Sequence, residues 1–124
     1  MIYGVGVDIE DVNRIKAVIN GRERFIERFF SKSEVEMFSK KNFNPETICG
    51  NFSAKEAFVK ALGIGFRDVT VKDIEVLRDE MGKPYYNIVG ELAEKLKDKG
   101  LKWHLSLSHT SATAVAFAVI ETVE

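Results

Sequence analysis

A carboxylate and an ammonium four residues apart, Glu56 and Lys60, lie within the run Asn51-Phe-Ser-Ala-Lys-Glu-Ala-Phe-Val-Lys-Ala-Leu-Gly-Ile-Gly65. On a helix that spacing sends both side chains to one side. A second carboxylate, Asp8, closes the apolar run that starts at Ile2. Magnesium prefers oxygen ligands and takes one or two carboxylates together with phosphate oxygens of a substrate. Asp8 and Glu56 meet that count if the first strand lies beside the helix, and Glu10 and Asp11 are further candidates. Lys60 then suits a leaving phosphate. Gly63 and Gly65, placed where the helix should stop, would let backbone amides approach a diphosphate. Together these residues point to phosphoryl-type chemistry.

Singly, each has a plainer explanation. Asp8 is a cap before the next element, Glu56 an ion pair with Lys60, and Gly-x-Gly a helix stop. His104 alternates with serines and reads as surface structure; His109, in a turn between two strands, is better placed to meet a ligand. Cys49 has no histidine at motif spacing, and neither a Ser-His-Asp set nor a zinc pattern is present. The nucleophile is therefore expected to come from the substrate.

These groups must be positioned by one domain, 1–124, long enough for a single core but short for a deep private cleft. An oligomer with sites between subunits is expected. A net charge of −1 argues against general nucleic-acid affinity. The lone cysteine fits a reducing compartment, and no apolar run has membrane-spanning length. A cytoplasmic protein without a membrane association is the expectation. Charge is uneven: between Asn13 and Lys32 six basic residues face two acids. Such a stretch either solvates a helix pair or meets an acidic partner.

The elements follow from pattern and caps. Residues 2–9 read as a strand. Asp11 caps a helix to about Val18 that Asn20-Gly21 stops, and Glu23 to Phe30 is a second helical piece. Ser31-Lys-Ser-Glu34 is a capping box opening a helix to Lys40. Asn44-Pro45 starts the long helix, which runs to Leu62 and ends at Gly63. Its apolar stripe comprises Ile48, Phe52, Val59 and Leu62, with Glu56 at the border and Lys55, unusually, inside it. Ile74–Arg78 and Tyr85–Val89 flank a turn and form a hairpin. Glu91 to Lys99 is a short helix, the segment with Trp103, Leu105 and Leu107 a half-buried strand, and Thr113 to Ile120 a well-buried one. The class is α+β with a largely antiparallel sheet and helices packed on it.

Three segments in order, Gly4-Val-Gly-Val-Asp8-Ile-Glu10 with Arg14-Ile15, Ser53-Ala-Lys55-Glu56-Ala-Phe-Val-Lys60-Ala-Leu-Gly63, and Gly82-Lys83-Pro84 with Ser106-Leu-Ser-His109-Thr110, resemble the holo-acyl-carrier-protein synthases. The resemblance spans essentially the whole chain, and the Lys-Glu-Ala-x-x-Lys-Ala core with its upstream Gly-x-Asp is its specific part. It implies a small homotrimeric 4'-phosphopantetheinyl transferase. Such enzymes move the phosphopantetheine arm of coenzyme A to a serine of apo-acyl carrier protein in fatty acid biosynthesis, and release adenosine 3',5'-bisphosphate. By position, Asp8 and Glu56 would hold magnesium on the diphosphate, Lys60 would stabilise the leaving bisphosphate, and His109 would contact nucleotide phosphates. Lys40, Lys41, Ser53, Gly63, Gly65, Lys83, Pro84 and Thr110 complete the implied nucleotide site. Deprotonation of the serine falls to Asp8, Glu56 or a metal-bound water. Arg14, Arg22, Arg24, Phe25 and Arg28 become a docking face for an acidic carrier. One departure stands out: relatives usually carry arginine where this chain has Asn51, which leaves Lys40 or Lys41 to supply any phosphate contact made there.

Two other readings compete. A magnesium-dependent nuclease or phosphohydrolase also wants two acids and a lysine, although such enzymes favour acid and lysine two apart on a strand. A non-catalytic module binding an acidic protein would need only the arginine face.

Overall fold

A computed structural model describes residues 1–22, 24–63 and 69–123. The chain is α+β, with two antiparallel sheets. Strands β1 (Ile2–Asp11), β5 (Thr113–Thr122) and β4 (Leu101–His109) form one sheet in that order; β2 (Ile74–Arg78) and β3 (Pro84–Ile88) form a separate hairpin. Helices α1 (Val12–Gly21), α2 (Phe25–Phe29), α3 (Lys32–Lys40) and α4 (Pro45–Leu62) all fall between β1 and β2, and α5 (Gly90–Leu96) joins β3 to β4.

Local chemistry sets most boundaries. The Asp11 side chain accepts from the amides of Asn13 and Arg14, which starts α1. Both halves of the Ser31–Glu34 capping box are made. Asn44 accepts from the amide of Glu46, Pro45 fills the first helical position, and Gly63 closes α4 at φ 79°. Helix α5 ends at Leu96, three residues before the expected stop. Leu92 and Leu96 are its buried residues, and the Lys97-Asp98-Lys99 run that follows has nothing apolar to bury.

Helix α4 is the centre of the molecule. One core cluster packs its second half, through Ala57, Phe58 and Leu62, against Ala116, Ala118 and Ile120 of β5 and against the β2–β3 hairpin. A second packs Ile48 and Cys49 against α1, α2 and α3, with Phe25, Phe30 and Phe38 filling it. The long helix also lies directly on β1: a Cβ at Gly4 would overlap the carbonyl oxygen of Ala61, and one at Gly6 that of Ala57. Only glycines permit that approach.

Lys55, the polar residue inside the apolar stripe, has a structural reason. It is 1 % exposed, and its ammonium donates to Glu34 Oε1 at 2.7 Å, Val71 O at 2.8 Å and Ile74 O at 2.7 Å. The Glu34 carboxylate also accepts from Ser31 N, Asn51 Nδ2 and Val76 N. Burial pulls the lysine down and pushes the glutamate up, and each opposes the shift of the other. A charge pair buried this deeply holds only because its hydrogen bonds are filled.

Strand β5 differs from expectation. It is central in its sheet, yet only the face with Ala114, Ala116, Ala118 and Ile120 is buried. Phe117 on the other face is exposed, beside Val5, Val7 and Ile9 of β1.

Candidate active site

Strand β1 runs on past Asp8 to Asp11, so Asp8 and Glu10, two apart, face the same way, toward α4. Both are buried at the strand end of the β1–α4 contact. Ser53 Oγ donates to Asp8 O at 3.0 Å and locks strand to helix there. Glu56 projects from α4 to the same point. Asp8, Glu10 and Glu56 each offer an oxygen, and these oxygens lie within 4.8 Å of one another. Among the described residues this is the group of carboxylates able to hold a metal ion.

Three carboxylates cannot crowd together and all stay ionised without a cation. Burial, then the neighbouring Glu10 and Asp8, push the Glu56 carboxyl up to about 9. Glu10 is raised chiefly by burial as well. Asp8 Oδ2 is buried with no hydrogen-bond partner. An orphaned carboxylate oxygen aimed into an acidic cluster fits an oxygen-seeking divalent cation. Lys60 Nζ stands 3.4 Å from Asp8 Oδ1 and 3.1 Å from Val7 O, with most of its side chain open to solvent.

A second polar cleft of about 270 Å³ opens where the C-terminal end of α3, the first turns of α4, the β2–β3 hairpin and the end of β4 meet. Lys41, Arg78 and His109 line it, with Gly82 and Pro84 from the hairpin. The His109 ring nitrogen Nδ1 is 3.4 Å from Glu46 Oε2. Gly50, which lines this cleft, and Glu56 are six residues apart on α4. That separates cleft and cluster by about 120° around the helix and ~9 Å along it.

The structure thus brings Asp8, Glu56 and Lys60 together, and groups Lys41, Pro84 and His109 elsewhere. Lys40 is exposed and pairs with Glu36 at 3.9 Å, and does not line that cleft. Lys83 lines a different groove, between β3 and β4, with His104. Thr110 uses its hydroxyl to accept from the amides of Ala112 and Thr113 in the β4–β5 turn. His104 bonds Glu121 at 2.8 Å on the surface and pulls that carboxylate down. Gly63 caps α4 and is exposed, and Gly65 lies outside the described residues.

Two expectations are corrected. Ser53 is fully buried and spent on Asp8 O, so its hydroxyl is no cofactor contact. Phe25 is 5 % exposed and packed among Phe29, Phe30 and Phe52, so it lies at the floor of a groove it shares with Arg22 and Arg24 and does not stand out from the basic face. Arg14, Arg22, Arg24 and Arg28 are exposed. Asn51 points inward, donating to Glu34 Oε2 and Val76 O, and contributes nothing to the cleft. Arg78 was not singled out from sequence; a lone arginine in a five-residue strand carries no local signal.

With this geometry in view, the likenesses are specific. Residues 4–120 match the family model of the 4'-phosphopantetheinyl transferase superfamily, and the chain belongs to that superfamily. It is 47 % identical over 123 residues to a holo-[acyl-carrier-protein] synthase of Clostridium botulinum, covering 99 % of this chain and 100 % of the relative. A Clostridium tetani enzyme of the same name is 47 % identical over 122 residues, covering 98 % and 97 %. Among solved structures, holo-[acyl-carrier-protein] synthase from Neisseria meningitidis superposes with a TM-score of 0.89 at 33 % identity, covering 98 % of this chain and 100 % of that one. The Bacillus anthracis synthase in complex with CoA (3',5'-ADP) gives 0.82 at 34 % identity, covering 99 % of each.

Proposed function

We propose that this chain moves the 4'-phosphopantetheine arm of coenzyme A to a serine of apo-acyl carrier protein in fatty acid biosynthesis, with magnesium, releasing adenosine 3',5'-bisphosphate. The observation that carries the reading is the convergence of Asp8, Glu10 and Glu56 from strand and helix, with one Asp8 oxygen buried and without a hydrogen-bond partner. Full-length relatives named for this activity, and a neighbour solved with coenzyme A, support the substrate.

Asp8, Glu10 and Glu56 would hold the cation. When bound, it would draw charge from the diphosphate and make phosphorus a better electrophile. The serine oxygen forms a bond to the phosphorus next to the pantetheine, the bond from that phosphorus to the bridging oxygen breaks, and the serine proton goes to a base. Lys60, exposed beside the cluster, meets the charge left on the bisphosphate. Helix α1 follows β1 directly, and Arg14 Nη1 lies 3.7 Å from Glu10 Oε1. An acidic carrier seated on Arg14, Arg22, Arg24 and Arg28 would therefore bring its serine to the acids.

The exposed apolar stripe of Val5, Val7, Ile9 and Phe117 suits packing between copies. A homotrimer that meets there, with its sites between subunits, is part of this reading. Cys49, buried and unpaired, fits the cytoplasm.

The test is intact mass of an apo-acyl carrier protein incubated with the chain, coenzyme A and magnesium. The carrier should gain one phosphopantetheine group, and Glu56→Gln should lose turnover while still binding the carrier. A nuclease would instead release nucleotides, and a binding module would leave the carrier mass unchanged and be indifferent to Glu56→Gln.

A further inference from the structure

The carboxylates of the acid cluster do not share the same surroundings. Asp8 has Lys60 Nζ at 3.4 Å on one flank, and Glu10 has Arg14 Nη1 at 3.7 Å on the other. Among the described residues these are the two ion pairs the cluster makes. Lys60 has a second tie, to Val7 O at 3.1 Å, and stays with the strand. The Arg14 guanidinium makes no hydrogen bond among the described residues. Its backbone, however, is fixed. Strand β1 passes straight into α1, and Asp11 caps that helix by accepting from the amides of Asn13 and Arg14. Arg14 is thereby held one helical turn beyond Glu10.

This pair joins two environments. The Glu10 side chain is 8 % exposed and belongs to the cluster, whereas that of Arg14 is 76 % exposed and belongs to the surface shared with Arg22, Arg24 and Arg28. At 3.7 Å the contact is longer than a charged hydrogen bond and open to solvent on one side, so it contributes little stability and exchanges readily. Each partner also has a competing demand. Asp8, 7 % exposed, keeps Oδ2 buried without a hydrogen-bond partner, which makes the cluster receptive to a divalent cation. A cation there takes up the charge of Glu10. Arg14, for its part, is drawn to the carboxylates of an acidic carrier. Without the ion, two effects oppose docking: Glu10 occupies Arg14, and the clustered carboxylates repel an acidic surface brought alongside. Binding the ion removes both.

We propose that Glu10 is a shared partner that couples the two binding events: it holds Arg14 when no cation is bound and yields it to the carrier when one is, so each ligand strengthens the binding of the other. This rests on the transferase reading above and adds to it a preferred order, the cation ahead of the carrier.

The test titrates a carrier whose acceptor serine is replaced by alanine, which docks but cannot react, onto the wild-type chain and Glu10→Gln. Each titration is run in magnesium and in potassium salt at matched ionic strength. The wild type should bind the carrier about 5- to 50-fold more tightly in magnesium. Glu10→Gln, read at a magnesium concentration that saturates its own site, should lose most of that gain. In potassium it should bind the carrier more tightly than the wild type does, because Arg14 is already released. An equal gain in both proteins overturns the proposal. A second arm needs no variant. Wild-type affinity for manganese, followed by the electron paramagnetic resonance of the free ion and corrected for ion bound by the carrier alone, should rise by the same factor when the carrier is present. An affinity that the carrier leaves unchanged overturns it. Coupling seen while the native carrier gains no mass from coenzyme A would sink the transferase reading and leave the shared partner standing; a mass gain without coupling would do the reverse.

Discussion

Glu56 is under opposing demands: its place at the edge of the apolar stripe shelters it, while Asp8 and Glu10 crowd it. The carboxyl rises from its ordinary 4.5 to about 9 as a result. In the unfolded chain it titrates near the ordinary value. Between those two values the folded chain keeps a proton that the unfolded chain has released, so the stabilising effect is full below about pH 4.5 and is lost as pH climbs to about 9. The melting temperature of the metal-free protein should fall across that window, and Glu56→Gln should flatten the fall. Saturating magnesium should raise the melting temperature most at the alkaline end, where the acids are charged. A pH-independent wild-type profile would contradict the crowding. At this scale the sequence was partly readable. Asp8, Glu56 and Lys60 announce themselves by type and spacing, and continuing the alternation of β1 by two residues is enough to reach Glu10. Ser53 and Phe25 were misleading, since a hydroxyl beside a catalytic motif and an aromatic among arginines both look exposed until packing is known.

The elements were the most legible part of the chain because caps are local. Asp11, the Ser31–Glu34 box, Asn44-Pro45 and Gly63 mark helix ends within one or two turns, and each marks the end it predicted. What no local signal shows is which helix touches which strand. That contact depends on Gly4 and Gly6, whose part in a close approach no local pattern announces. Their function is clearance: the backbone of α4 sits where their side chains would be. Gly6→Ala forces the helix off the strand and moves Glu56 away from Asp8. It should cost about 1–3 kcal/mol of stability and lower phosphopantetheine transfer further than that loss alone explains. Gly21→Ala, with nothing within 4 Å of the new methyl, should do neither. Chemical denaturation and a transfer assay on the two variants decide it, and a Gly6→Ala protein as stable and active as wild type would refute the close approach.

The whole molecule is arranged around one helix that two sheets and three helices share. Its class was visible from the order of elements, but the division into two sheets was not. The β2–β3 hairpin lies beside β4 without pairing to it and packs on α4, and that choice is made by core packing at Ile74, Val76 and Tyr86. The open apolar face of β1 and β5 was likewise hidden. A nearly continuous apolar strand looks buried on both sides within its own chain, whereas here the side that carries Phe117 stays open. The buried Lys55–Glu34 pair ties α3, α4 and β2 into one unit and so fixes the wall that carries Arg78 relative to the acids. Strand and helix together would present one cation site to a bound diphosphate. Crystals grown with coenzyme A and manganese, in place of magnesium, test it through anomalous scattering. A single peak about 2.0–2.2 Å from oxygens of Asp8 and Glu56 and from a diphosphate oxygen is the predicted result. Bound coenzyme A with no peak between those carboxylates, or with the ion held by other side chains, would contradict it.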